Sequence, residues 1–131
     1  MKSGILFVSP SADDARYLAD ILAGVAIPVR HAESLEVARE VLEREAFGAV
    51  LTESRLPDGN WEDVVALVGK ARPGAAVVVT DKLADARFWA DVLEFGAYDL
   101  LAKPFYSREV QRILCNAVHE PPRLMRVAPA A

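Results

Sequence analysis

Glu53, Thr80 and Lys103 are far apart in the chain, yet each stands where a short apolar run gives way to polar residues. "GAVLTE" ends on Glu53, "AAVVVT" on Thr80, and "YDLLA" runs into Lys103 and Pro104. If these runs are strands of one parallel sheet, an acid, a hydroxyl and an ammonium converge at its carboxyl-terminal edge, where open α/β sheets gather their ligands. Ser9 and Pro10 close the run "GILFVS" and arrive at the same edge. Whether such a set does chemistry or only binds turns on Glu53. Taken singly, Glu53 also reads as a strand end in solvent, Lys103 as a surface charge and Thr80 as an ordinary end-of-strand residue.

The elements that must position these residues are legible in the apolar pattern. Residues 4–9, 48–53 and 75–80 are nearly continuous apolar runs with β-branched residues, as in strands buried on both faces. "IPVRH" (27–31) and "YDLLA" (98–102) complete five. Between them, apolar residues recur at helical spacing: Ala15, Leu18, Ala19, Leu22; Leu35, Ala38, Val41, Leu42; Trp61, Val64, Val65, Val68; and a fourth helix near Leu83 to Phe95. Val110, Ile113, Leu114, Ala117 and Val118 form the last. Ser11, Ser34 and Ser107 suit helix N-caps, with Asp13 and Asp14 in the opening turn of the first helix, and Gly24, Pro73 and Gly96 mark ends. Alternating β and α five times calls for right-handed crossovers and a doubly wound α/β fold.

A chain of 131 residues with 53% apolar and 26% charged residues has one domain's worth of core. We expect that domain over 1–119 and a mobile, proline-containing extension, "EPPRLMRVAPAA", over 120–131. The net charge of -4 and the lack of a basic stripe argue against nucleic acid as a direct partner. No run approaches the roughly 20 apolar residues of a membrane span, and Lys2 is followed by too short an apolar run for a signal peptide. A cytoplasmic, stand-alone protein is expected. Cys115, the only cysteine, sits in an apolar helical pattern and reads as a buried, inert thiol.

In order and spacing, "ILFVS", "ESRLPDG", "VVVT" and "GAYDLLAKPF" make residues 4–118 resemble the receiver domains of bacterial response regulators, CheY-like modules of two-component signal transduction and phosphorelay. The resemblance implies a flavodoxin-like sheet in the order 2-1-3-4-5. It also implies two acids after the first strand and an Asp ending the third that hold Mg²⁺, the Asp accepting a phosphoryl group. A hydroxyl after the fourth strand and the Lys of "KP" then contact the phosphate. Thr80 and Lys103 match these positions. The acid pair is replaced by Ser9 and Pro10, the acceptor by Glu53, and the aromatic switch residue by Leu100.

Magnesium is a hard ion that usually takes charge from one or two carboxylates; proline supplies no side-chain ligand and serine a neutral one. Phosphoryl transfer to a carboxylate then lacks the metal that offsets repulsion between like charges. Glu53 is one methylene longer than Asp, which misplaces in-line attack and lets its charge reach toward Lys103 and Thr80, a partial imitation of a phosphoryl group bearing about one to two charges. The expectation is a site locked by a Glu53–Lys103 pair, with no catalytic residue, no cofactor and weak or absent Mg²⁺ binding. Phosphorylation-independent protein interaction is the expected function. Two alternatives are carried: a phosphorylatable receiver using Glu53 or Asp58, and a flavodoxin-like domain binding FMN or a small phosphorylated ligand through "SPSADD", which lacks glycine.

Asp58 sits in a Pro-Asp-Gly turn, which explains it better than an acceptor role. Asp13 and Asp14 are explained by the helix macrodipole rather than as displaced metal ligands. His31 and His119 have no ligand spacing. The fourth helix carries apolar residues over about half its circumference, more than the roughly 100° stripe a core needs. By resemblance, Phe88, Phe95, Tyr98 and Tyr106 are candidates for a surface that docks a sensor kinase, a downstream signalling protein or a second copy. The opposite expectation is that a flattened helix buries them all. Trp61 is expected to pack at the start of the third helix, where its ring could also cover the mouth of the pocket.

Overall fold

The computed structural model describes residues 4–119; the expected extension at 120–131 lies outside the described residues. Strands β1 (Ile5–Val8), β2 (Val29–Ala32), β3 (Ala49–Glu53), β4 (Ala76–Asp81) and β5 (Asp99–Ala102) alternate with helices α1 (Ala12–Ala23), α2 (Leu35–Arg44), α3 (Trp61–Ala71), α4 (Ala86–Phe95) and α5 (Ser107–His119). The strands form one sheet in the order β2-β1-β3-β4-β5, every pair parallel. This is the flavodoxin-like order that the family resemblance implies. Between β3 and α3, Arg55–Leu56 pairs antiparallel with Gly59–Asn60 around the turn at Pro57 and Asp58, a short hairpin that the sequence shows only as a turn.

Strand residues alternate between two cores. Ile5 and Phe7 pack with α1 and α5, whereas Leu6 and Val8 pack with α2 and α3, as a side-chain period of two requires. A smaller cluster of Val79, Leu100, Ala97 and Val92 sits under α4. Ser11 caps α1 by accepting from Asp14 N (3.0 Å), and Ser34 caps α2 by accepting from Val37 N (3.2 Å). Gly96 ends α4 at φ 111°, a left-handed conformation natural to glycine.

Several local expectations are corrected. Ser107 is the first residue of α5 rather than its cap. Helix α4 starts at Ala86 because Asp85 accepts from Phe88 N at 2.8 Å, which leaves Leu83 exposed in the preceding turn. Cys115 is half-buried against the α1/α5 core. Tyr98 is buried and contributes no exposed surface. Phe88 is half-buried and Phe95 is 49% exposed; both turn toward Trp61 on α3. Only Val92 of α4 is fully buried, and the expectation that all four candidate aromatics are buried fails for Phe95 and for Tyr106, which is 66% exposed.

Candidate functional site

In the sheet order the strand sequence reverses around β1, and Ser9 and Glu53 meet there because Val8 pairs with Thr52 in parallel register. Ser9 is fully buried; its hydroxyl donates to Glu53 Oε2 (2.9 Å) and accepts from Ser11 N (3.1 Å). Pro10 is exposed. Lys103, just past β5, donates through Nζ to Glu53 Oε2 at 2.5 Å and to Asp14 Oδ2 at 2.6 Å. The Lys103 and Glu53 side chains are only 15% and 14% exposed, and Asp14 37%. Burial alone would depress the Lys103 ammonium; the hydrogen bonds and charges of Asp14 and Glu53 outweigh it, so its pKa lies above the ordinary value.

Asp14 is the residue that sequence reasoning left out of this site. It is the third residue of a helix that starts immediately beyond β1, and helical Cα–Cβ bonds tilt toward the N-terminus, carrying its carboxylate back over the strand ends. That placement was a usable signal. Asp13, one residue earlier, points away and pairs with Arg16 in solvent. Thr80 does not join the cluster: fully buried, it donates to Leu101 O (2.8 Å), the carbonyl of its β5 register partner. The expected approach of Glu53 to both Lys103 and Thr80 therefore holds for Lys103 alone.

A cavity of about 540 Å³ opens beside the cluster, bordered by Glu53, Asp81, Lys82 and Lys103. On its floor Ser54 Oγ donates to Asp81 Oδ2, while Asp81 Oδ1 accepts from Leu83 N (2.7 Å). Leu100 is buried in the cluster under α4. Trp61 begins α3 and lies edge-to-face against Phe88 and Phe95; its ring does not line the Glu53–Lys103 cavity itself but lines an adjoining one that shares Ser54, Arg55, Asp81 and Leu83 with it. His31 Nε2 lies 2.7 Å from Ser9 O, and His119 Nδ1 lies 2.9 Å from Cys115 O.

The donor set is poorly suited to a divalent cation. Glu53 Oε2 already takes Lys103 and Ser9, Asp14 Oδ2 takes Lys103, and Pro10 has no side-chain donor. A dication would have to displace the ammonium that already compensates both carboxylates, and would gain few oxygen ligands in return. Among the described residues, no group of three or more His, Cys, Asp or Glu is placed to hold a metal ion. In the loop after β1 the Ser9 hydroxyl donates to Glu53, whereas the Ser11 hydroxyl accepts from Asp14 N.

Asp58 lies on a separate groove with Leu35 and Arg39. Its carboxylate accepts from Leu35 N (2.8 Å) and Glu36 N (3.0 Å), satisfying two open donors of α2 while Ser34 satisfies a third. These two backbone hydrogen bonds hold Asp58 below the ordinary carboxylate range. A group with a depressed folded pKa stabilises the fold above its unfolded value and loses that contribution as pH falls. Asp58→Ala is accordingly expected to lower Tm at pH 7, with the deficit shrinking below about pH 4. Thermal melts of both proteins across pH 3–7, in steps of about one unit, check this; a pH-independent deficit would show that the carboxylate charge plays no part.

No protein-family model matches the chain. It is similar to the response regulator protein PilR of Pseudomonas aeruginosa, with 31% identity over 106 residues that cover 80% of this chain and 24% of PilR. It also matches the DNA-binding transcriptional regulator NtrC of Rhizobium meliloti, 36% identical over 74 residues, 56% of this chain and 15% of NtrC. The chain thus spans a quarter or less of the length of these curated relatives. Among solved structures, the beryllofluoride-activated NtrC4 receiver domain dimer aligns with TM-score 0.82 and 22% identity, over 92% of this chain and 98% of that one. A CheY-like receiver domain protein from Methanospirillum hungatei aligns with TM-score 0.80 and 22% identity, over 90% and 94%. The receiver domain of a sensor histidine kinase from Pseudomonas aeruginosa, with magnesium coordinated in its active site cleft, aligns with TM-score 0.77 and 23% identity, over 88% and 97%.

Proposed function

We propose, from the premise that this chain is a response-regulator receiver domain of the CheY-like kind, that it is a degenerate receiver working as a phosphorylation-independent protein-interaction module. One observation carries the reading: Lys103 Nζ is held by Glu53 and Asp14 together. The cation that would contact an incoming phosphate is already neutralised. Glu53 stands where the family resemblance places its acceptor Asp, with its Oε2 turned onto Lys103 and Ser9. Ser9 and Pro10 supply no carboxylate for Mg²⁺, so the charge compensation that phosphoryl transfer to an acid needs is missing. In this reading the scaffold does no chemistry and its surfaces act.

The partner is a sensor kinase or a downstream signalling protein, or a second copy of the domain. The α4–β5–α5 face is the surface assigned to it, and there Trp89 (47% exposed) and Tyr106 (66% exposed) present aromatic area. Among the described residues no helix is long and apolar enough to cross a membrane.

The test is to incubate the protein with Mg²⁺ and acetyl phosphate and measure its intact mass, with a receiver that keeps its acceptor Asp as positive control. No adduct is expected. A stoichiometric, acid-stable or labile phosphate adduct would overturn the reading, and its mapping to Glu53 or Asp58 would identify the acceptor.

A further inference from the structure

We propose that the groove between α3 and α4 is a docking site for an arginine or lysine side chain on a basic segment of a protein partner. The groove is an open cavity of about 460 Å³ lined by three rings, Trp61, Phe88 and Phe95, and three carboxylates, Glu62, Asp91 and Glu94, with no basic residue among its walls. Trp61 meets Phe88 at a centroid distance of 6.0 Å and 77°, and Phe95 at 5.3 Å and 78°. Rings set nearly perpendicular line a space with π-faces as well as edges, and a π-face attracts a cation through its quadrupole.

The acids are placed by helical spacing. Phe88, Asp91 and Phe95 follow one stripe of α4 at i, i+3 and i+7, Glu94 lies beside it, and Glu62 follows Trp61 in the first turn of α3. Among the described residues none of the three acids has an ion-pair partner, whereas Glu36, Glu43 and Glu45 each face an arginine. A rim of unpaired like charges over an aromatic floor is relieved by a cation that tolerates partial desolvation. Guanidinium, planar and weakly hydrated, suits this better than ammonium.

Core packing accounts for only part of the groove: Trp61 and Phe88 are partly buried against the small core under α4, whereas Phe95 stays half exposed. The groove shares no residue with the Glu53–Lys103 cavity. It also lies apart from Trp89, which reaches β5 through Asp99 at 2.9 Å. The inference therefore stands whether or not the receiver site accepts phosphate.

The full chain carrying Trp89→Phe keeps Trp61 as its sole tryptophan and serves as its own reporter. It is titrated with a short acetylated peptide of alanine, leucine and arginine, and with the same peptide carrying citrulline, a neutral isostere. A saturable change in Trp61 emission is expected with the arginine peptide, and binding about fivefold to tenfold weaker with citrulline. Combining Glu62→Gln, Asp91→Asn and Glu94→Gln should weaken arginine-peptide binding by about the same factor with no loss in Tm. No saturable signal, equal binding of the two peptides, or undiminished binding after neutralisation overturns the proposal. So does self-association abolished by Phe95→Ala, which assigns the groove to a second copy. A shift of Trp61 emission caused by Arg123→Gln with Arg126→Gln, without peptide, overturns it in favour of the chain's own basic segment.

Discussion

Lys103→Met is expected to unfold roughly 6–12 °C below the parent protein at pH 7, the largest stability loss of any single change at the site. The substitution removes the ammonium between Glu53 and Asp14 and leaves two carboxylates facing each other with Ser9 as the remaining donor to Glu53. Breaking a fully buried pair from one side costs about 3–5 kcal/mol. The side chains here are partly screened, with Asp14 37% exposed, so about 2–3 kcal/mol is the reasonable scale. Glu53→Gln should be milder, because Asp14 still pairs Lys103. The sign with pH follows from the raised pKa of Lys103: the contribution is complete below its unfolded value of about 10.4 and disappears as pH rises through the folded one. Urea titrations of the parent, both single variants and the double variant give the coupling directly. A coupling indistinguishable from zero would mean that solvent screens the cluster and that it locks nothing.

The second large effect concerns what prevents phosphorylation. Glu53→Asp alone is expected to leave the protein unmodified by acetyl phosphate in Mg²⁺, although it restores the shorter acid at the family's acceptor position. Shortening the side chain draws the carboxylate away from Lys103, yet Ser9 and Pro10 still provide no charge for a metal. Combining Glu53→Asp with Ser9→Asp and Pro10→Asp should allow measurable acceptance. Intact mass reports modification, and Mg²⁺-dependent quenching of tryptophan emission reports metal entry separately. Efficient phosphorylation of the Glu53→Asp variant would show that the length of one side chain, and not the missing acid pair, is what holds the site closed.

The first prediction depends on Asp14, and its case shows where sequence reasoning stops. As an acid in the first turn of α1 it already has a sufficient local explanation in the helix macrodipole, so nothing in the sequence demanded a second partner. Only the distance of 2.6 Å to Lys103, 89 residues away, makes it part of the site. Thr80 errs in the opposite direction. Its position near the end of β4 matches a phosphate-contacting hydroxyl, but full burial obliges that hydroxyl to find an acceptor, and the neighbouring β5 carbonyl of Leu101 provides one. Tyr98 looks like surface by position and is buried by the packing around β5.

What the sequence determined by itself is whatever depends on periodicity and punctuation. The strand order was implied by the family resemblance of the motifs, whereas continuous apolar runs, helical spacing and the Ser11, Ser34 and Gly96 boundaries were enough for five parallel strands and for bringing Glu53 and Lys103 to one sheet edge. These are properties of short segments plus the handedness of crossovers, and local chemistry controls them. The tertiary structure alone decided which partner each polar atom takes and which side of α4 its aromatics face. Those outcomes depend on sub-ångström to few-ångström distances between residues remote in sequence. There a buried hydroxyl or charge must find the nearest complement, and no spacing rule says which one it will be.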